Sequence, residues 1–209
     1  MLETLLMLLW AALAFLLGAL PFSVWVGRLA GQQDIRSVGD KNPGATNVLR
    51  SAGFLWFSLA MLLDISKAAA PIGLAYQVFD WRGWPMWLIA MAPVAGHAIS
   101  PFLGWKGGKA VATAFGAWIG LTLYTVPAVS LVALVFWFGL ITISGWAIML
   151  ALLTIGLYLL MFNPDPLLLA VLVGQIALLG WTHRADLAQR PSLRPRWLRL
   201  LGREQPPSD

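Results

Sequence analysis

Cysteine is absent from the 209 residues, which removes a disulfide framework, a thiolate metal site and a cysteine nucleophile from consideration. Acidic residues are scarce too: there are nine, too scattered to form a recognisable metal cluster. Neither a metal nor a cofactor is expected. Charge of both signs amounts to 11% of the chain, well under the roughly 25% of soluble domains. Hydrophobic residues stand in its place, at 59%, with a mean hydropathy of +0.77. That is the composition of an all-α integral membrane protein.

The few charges are clustered. Leu5 to Gly27, Phe54 to Leu63, Trp84 to Leu103, Val111 to Phe138 and Ala147 to Phe162 contain almost none. A spanning helix needs about 20 apolar residues, somewhat fewer if buried among neighbours, and the gaps predict about seven spans. They lie at 4–29, 53–78, 84–104, 109–122, 125–143, 146–162 and 166–182. The break between the fourth and fifth, Leu121 to Pro127, carries no charge, so six spans with one bent helix is the other reading. The first segment has no basic n-region and no small-residue cleavage site, so it reads as a span and not as a signal peptide.

The placement of Lys and Arg sets orientation. With seven spans and the N-terminus outside, Arg28, Arg36, Lys41, Arg50, Lys106, Lys109 and the arginines from Arg184 onward fall inside, and only Arg82 falls outside. The polar clusters at 31–50, 106–109 and 183–190 then share the cytoplasmic side, as does the C-terminus. Residues 1–190 read as a single transmembrane domain and 191–209 as a basic tail, in which Pro191, Pro195, Pro206 and Pro207 punctuate the arginines. The net charge of +5 fits topology retention and attraction of this surface-associated tail to anionic lipid headgroups. It implies membrane lipids and not nucleic acid as partners.

Two polar loops carry chemistry. "GDKNPGATNVLR" offers Asn42 and Asn47 as amide donors, Thr46 as a hydroxyl, and Arg50, whose planar fork matches phosphate or carboxylate oxygens. The same residue types also build ordinary turns, but the donors here exceed what a turn requires. "GWKGGKAVATAFG" places Lys106 and Lys109 around Gly107-Gly108, just before a segment expected to be helical. Glycines let a backbone approach an anion and expose its N–H groups, and a helix N-terminus adds partial positive charge. Taken alone, a KGGK loop equally suits a plain cytoplasmic connection.

Asp64 and Lys67 are three residues apart on one helical face inside an apolar span. They pair with each other or serve a site directly; the spacing allows both. His97 lies about two turns before the KGGK loop and reads either as a packing histidine or as a site residue. His183 closes the last span beside Arg184 and three residues before Asp186, a spacing that suits proton transfer or phosphate binding as well as an interfacial anchor.

The order "LPF", "DIRSVGDKNPGATNVLR", "LLDISKAAAP", "GHAISPFLGWKGGKAVATAFG" and "HRADL" resembles the bacterial acyl-phosphate:glycerol-3-phosphate acyltransferases, the PlsY family. The likeness runs from about Pro21 to Asp186 and also favours seven spans with the N-terminus outside. It implies a multi-pass enzyme of the bacterial cell membrane, possible as a monomer, with its site facing the cytoplasm. The implied reaction moves a fatty acyl group from acyl-phosphate to the 1-hydroxyl of glycerol 3-phosphate, giving lysophosphatidic acid and phosphate. The resemblance places Thr46, Asn47 and Arg50 in the first motif, with Arg50 a phosphate ligand. It places Lys109 in the phosphate-binding loop and aligns His97, His183, Asp64 and Lys67 with family positions.

Three departures stand out. Where the family reads Gly-Ser-Gly-Asn, this chain has Gly39-Asp40-Lys41-Asn42; where it reads His-Arg-Glu-Asn, this chain has His183-Arg184-Ala185-Asp186. In "ITISGWAI" Ser144 survives, while a second serine is replaced by Ala147. An ionised Asp40 cannot donate a hydrogen bond, and it repels a phosphate unless Lys41 or Arg50 neutralises it; it is also placed to act as a base toward the glycerol hydroxyl. Expected catalytic residues are therefore His183, Asp40, Lys109 and Arg50. Expected binding residues are Asn42, Thr46, Asn47, Lys67, His97, Lys106, Gly107, Gly108, Ser144 and Asp186. A divergent acyltransferase with another acceptor, an inactive paralogue, and an anion or lipid transporter are the alternatives.

Overall fold

The computed structural model describes residues 1–31 and 34–195. The expected basic tail therefore falls mostly, from residue 196 on, outside the described residues. The helices are α1 (Leu2–Ala19), α2 (Phe22–Leu29), α3 (Ala45–Ala52), α4 (Phe54–Gly73), α5 (Trp84–Ala98), α6 (Val111–Thr122), α7 (Thr125–Leu140), α8 (Ser144–Phe162), α9 (Pro166–Thr182) and α10 (Arg184–Leu187). Among the described residues, four helical stretches are long and apolar enough to cross a membrane: Leu2–Leu29, Phe54–Val78, Trp84–Leu103 and Ser144–Phe162. The apolar α6, α7 and α9 are shorter. Large side chains such as Leu9, Leu62, Val132, Phe136, Leu157 and Val173 lie exposed on the bundle's exterior, where lipid would meet them.

Breaks in the spans have local causes. Pro21 has no N–H to continue α1, and the carbonyls just before it are met by side chains from elsewhere. Ser100 Oγ donates to Ala19 O at 2.6 Å, and Lys67 Nζ donates to Leu20 O at 2.9 Å. Pro71 lies inside α4, which ends in a π-helical turn over Leu74–Val78, a usual neighbour of such disruptions. Between the fourth and fifth segments Leu123 takes a positive φ of 55°. The chain thus makes two helices there and not one bent helix.

Lipid tails are as apolar as leucine, so helices in a membrane associate through close packing of small residues. The α1–α5 seam follows that rule in both directions. A Cβ on Gly18 would overlap the backbone of Pro93, and one on Gly96 would overlap the backbone of Phe15. The main buried core then includes Met86, Ile89, Val94, Trp118, Ile148 and Leu179. A second, smaller cluster of Val24, Val26, Ile35, Ala45, Val48 and Ala60 seats α3 and the turn before it on α2 and α4. It holds the first polar loop at the same end of the bundle as the KGGK loop and α10.

Candidate active site

Lys109 is the centre of that end. Its Nζ lies 3.1 Å from Asp40 Oδ2 and 3.2 Å from Asp186 Oδ2. The same Asp186 oxygen accepts a hydrogen bond from Ser144 Oγ at 2.8 Å. The loop before α3, the loop before α6, the start of α8 and α10 therefore converge on one ammonium. Its lysine carbonyl is fixed by Thr182 Oγ1 at 3.2 Å, from the last turn of α9.

The first polar loop is wired into the second through its asparagines. Asn47, buried at 1% exposure, donates from Nδ2 to Asp40 Oδ1 at 3.0 Å and to the Asn42 carbonyl at 2.9 Å. Its Oδ1 accepts from Arg50 Nη1 at 3.1 Å. Asn42 in turn accepts the Lys109 backbone N–H on Oδ1 at 3.1 Å. Gly39, at φ 56°, has no room for a Cβ because the Arg50 guanidinium occupies that space. So Asp40 is neutralised by Lys109, and not by Lys41 or Arg50 as its sequence neighbours suggest.

The glycines of the KGGK loop act differently from the expectation. Gly107 N–H donates to Ala98 O at 3.2 Å and Gly108 N–H to His97 O at 2.9 Å. Both amides are spent on the end of α5, and a Cβ at either position would collide with His97 or Ala98. Smallness, not free N–H groups, is what the loop needs there. The first turn of α6, which follows Ala110, has no side-chain cap, so its own N–H groups are the donors available to an anion.

Beneath this loop is a buried ionic network. Lys67 Nζ lies 2.7 Å from Asp64 Oδ1, both side chains 2% exposed, and Ser23 Oγ donates to Asp64 Oδ2 at 2.5 Å. His97 Nδ1 is 3.9 Å from Asp64 Oδ1, while its Nε2 edge faces Gly108. The pairing reading of Asp64 and Lys67 is therefore realised, and His97 links the pair to the loop. Thr46 and Lys106 are exposed and make no hydrogen bond or ion pair to the cluster. Ser23, Ser100 and Thr182 escaped the sequence reading; a lone hydroxyl in an apolar run gives no local signal of its partner.

Protonation follows from these contacts. Burial pushes the Asp40 carboxyl up, but hydrogen bonds from Lys109 and the Asn42 N–H outweigh it and leave it below its ordinary value. Asp186 behaves alike: burial raises it, and Ser144 and Lys109 bring it lower. His183, 1% exposed, is pushed down by burial, against the opposing hydrogen bond to Leu179. Its Nδ1 is 2.8 Å from the Leu179 carbonyl, which only accepts, so Nδ1 carries the proton and the lone pair is on Nε2. That Nε2 is buried and without a partner.

A depressed histidine binds its proton more readily in the unfolded chain, so its linkage to folding destabilises as pH falls below the ordinary value of about 6.5. His183→Asn is expected to flatten the melting temperature between pH 6.5 and 5, with a difference in slope of at most about 1.4 kcal/mol per pH unit. Thermal melts across that range check it; an unchanged slope would rule out a neutral His183.

A family profile described as Glycerol-3-phosphate acyltransferase matches residues 8–190. The chain belongs to the glycerol-3-phosphate acyltransferase family. The glycerol-3-phosphate acyltransferase of Maridesulfovibrio salexigens is 35% identical over 181 residues, 85% of this chain and 90% of its own length. That of Desulfovibrio desulfuricans is 34% identical over 197 residues, covering 92% and 85%. The crystal structure of PlsY (YgiH), an integral membrane glycerol 3-phosphate acyltransferase, in its glycerol 3-phosphate form matches with a TM-score of 0.77 at 29% identity, over 95% of this chain and 94% of that one. Its lysophosphatidic acid form gives 0.73 at 26% identity, over 97% and 94%. As a glycerol-3-phosphate acyltransferase family member, the chain is an integral membrane acyltransferase.

Proposed function

We propose that the enzyme transfers a fatty acyl group from an acyl-phosphate to the 1-hydroxyl of glycerol 3-phosphate, releasing lysophosphatidic acid and phosphate. The observation that carries this is Lys109, held between Asp40 and Asp186 beside Arg50 and the uncapped N-terminus of α6. Residues 1–190 form one domain of seven spans in the bacterial cell membrane, N-terminus outside, with this site at the cytoplasmic edge and residues 191–209 as its tail. A site gathered at one end of the bundle favours group transfer over transport.

A mixed anhydride is already activated, so the protein's task is to align two anions and to stabilise charge on the carbonyl and the leaving phosphate. Arg50, Lys109, Lys106 and the first turn of α6 receive phosphate oxygens, with Asn42, Thr46, Asn47 and the Gly107-Gly108 turn shaping the pocket. The glycerol hydroxyl forms the new C–O bond at the carbonyl carbon, and the bond from that carbon to the phosphate oxygen breaks, with its electron pair leaving on phosphate. His183, neutral and closing α9 next to this cluster, supports the wall of the site and leaves the hydroxyl proton to Asp40. As phosphate takes Lys109 over, Asp40 loses its partner and becomes basic enough to accept the hydroxyl proton.

The test is purified protein with palmitoyl-phosphate and glycerol 3-phosphate, following phosphate and lysophosphatidic acid together. Absence of either product would overturn the assignment. Asp40→Ser is expected to reduce kcat by about 10²-fold or more, the usual worth of a positioned base. Equal or higher activity in that variant would remove Asp40 from the chemistry.

A further inference from the structure

The chain beyond α10 turns back across the α7–α8 connection. Trp146 Nε1 donates to the Gln189 carbonyl at 2.9 Å. The Thr142 N–H donates to the Ser192 carbonyl at 2.9 Å, and the Arg194 N–H to the Leu140 carbonyl at 2.8 Å, around an antiparallel bridge between Ile141 and Leu193. Arg194 Nε donates to the Phe138 carbonyl at 2.7 Å. These bonds satisfy carbonyls that the end of α7 leaves open. In a continued helix Thr142 N–H would serve Phe138; it serves Ser192 instead, and Arg194 fills the vacancy. A guanidinium at a helix C-terminus is also favoured by the helix dipole.

What lies on either side of this clasp is the site. Ser144 opens α8 two residues after the clasped Thr142, and Asp186 precedes the clasped Gln189 by three residues. The two meet through Ser144 Oγ and Asp186 Oδ2, the oxygen that Lys109 also reaches. Gly145 makes the approach possible: a Cβ there would stand 2.6 Å from Asp186 Cβ and 3.2 Å from His183 Cβ. A tail that served only topology or lipid attraction would have no need to cap α7.

We infer that residues 189–194 are a positioning strap for the transfer site, with Arg194 as its principal side chain, acting through Ser144 and Asp186 to hold Lys109 in place. This rests on the reading of Lys109 as the phosphate ligand. The strap touches no substrate; it fixes the angle between the start of α8 and α10.

The experiment compares the full chain with Arg194→Ala, Arg194→Lys, Trp146→Phe, Ser144→Ala, Lys109→Ala and the Arg194→Ala/Ser144→Ala pair, using palmitoyl-phosphate and glycerol 3-phosphate, with a melting curve for each. Arg194→Ala is expected to lower kcat/KM by about tenfold, with Arg194→Lys recovering part of it and Trp146→Phe giving a smaller loss. In the Ser144→Ala background the Arg194 change should add less than about twofold, the signature of residues acting through one contact. If the two losses multiply while Lys109→Ala is inactive, the strap inference falls and the site reading stands. If Lys109→Ala keeps wild-type turnover, the site reading falls and takes the strap with it. Should Arg194→Ala fail to fold, Trp146→Phe with and without Ser144→Ala decides the same question.

Discussion

Lys109→Met is expected to lower kcat/KM by about 10³-fold or more, while the protein still folds. Loss of one well-placed donor to a developing anion costs about 10²–10³ in rate, and here the loss has a second part. Asp40 and Asp186 would be left facing the incoming phosphate, and like charges about 4 Å apart repel by about 4 kcal/mol at a near-surface effective dielectric. Both carboxylates retain contact with water, their side chains 45% and 20% exposed, so the fold should lose little. The repulsive part is separable: Lys109→Met/Asp40→Ser/Asp186→Asn should bind phosphate substrate better than Lys109→Met alone, with turnover still low. Steady-state kinetics on the three proteins check this. Lys109→Met within tenfold of the parent would end the anion-site reading.

The other large effect concerns stability. Asp64→Ala is expected to destabilise the protein by about 3–5 kcal/mol, because it strands the Lys67 ammonium in a dry interior. Lys67 is 6% exposed, and its remaining partner, the Leu20 carbonyl, carries no formal charge. Asp64→Leu/Lys67→Met removes both ions and should come close to the parent in melting temperature, since a buried pair repays its desolvation only in part. The paired change also separates two roles for these residues. If the network only supports the KGGK loop through His97, the double variant keeps activity within about tenfold; a direct grip on substrate predicts loss of the order seen for charged hydrogen-bond donors. We expect support, because the two side chains already pair with each other and are held by Ser23 and the Leu20 carbonyl.

How much of this could be read from residue order differs by element. The common end of the three polar clusters was legible from Lys and Arg placement taken with a seven-span count, because charge asymmetry is a property of loops and needs no packing. The three-residue spacing put Asp64 and Lys67 on one helical face but left pairing and a site role equally open; the packing decided it. The convergence on Lys109 did not: Asp40, Lys109, Ser144 and Asp186 are up to 146 residues apart, and only helix packing makes them neighbours. Local reasoning accordingly assigned Lys41 and Arg50 to neutralise Asp40, the nearest cations in sequence and not in space. It also aimed the KGGK amides at a ligand, since no sequence pattern tells an inward N–H from an outward one. Arg194 was read as one charge among a basic run, and its carbonyl partner belongs to a helix 56 residues away.

The break at Pro21 bears on how the molecule is made. The Leu20 carbonyl has a local donor in the Phe22 N–H as well as Lys67, but the Ala19 carbonyl relies on Ser100, a residue synthesised well after the first span has emerged. Until that later segment is beside it in the bilayer, the first span holds an open carbonyl in hydrocarbon, at a cost of several kcal/mol. The bend is set by Pro21 from the start, while the satisfaction of its open carbonyl is acquired late, as a product of assembly. Ribosome-stalled chains ending before Ser100 should carry a first span lodged nearer the headgroups than in the finished enzyme.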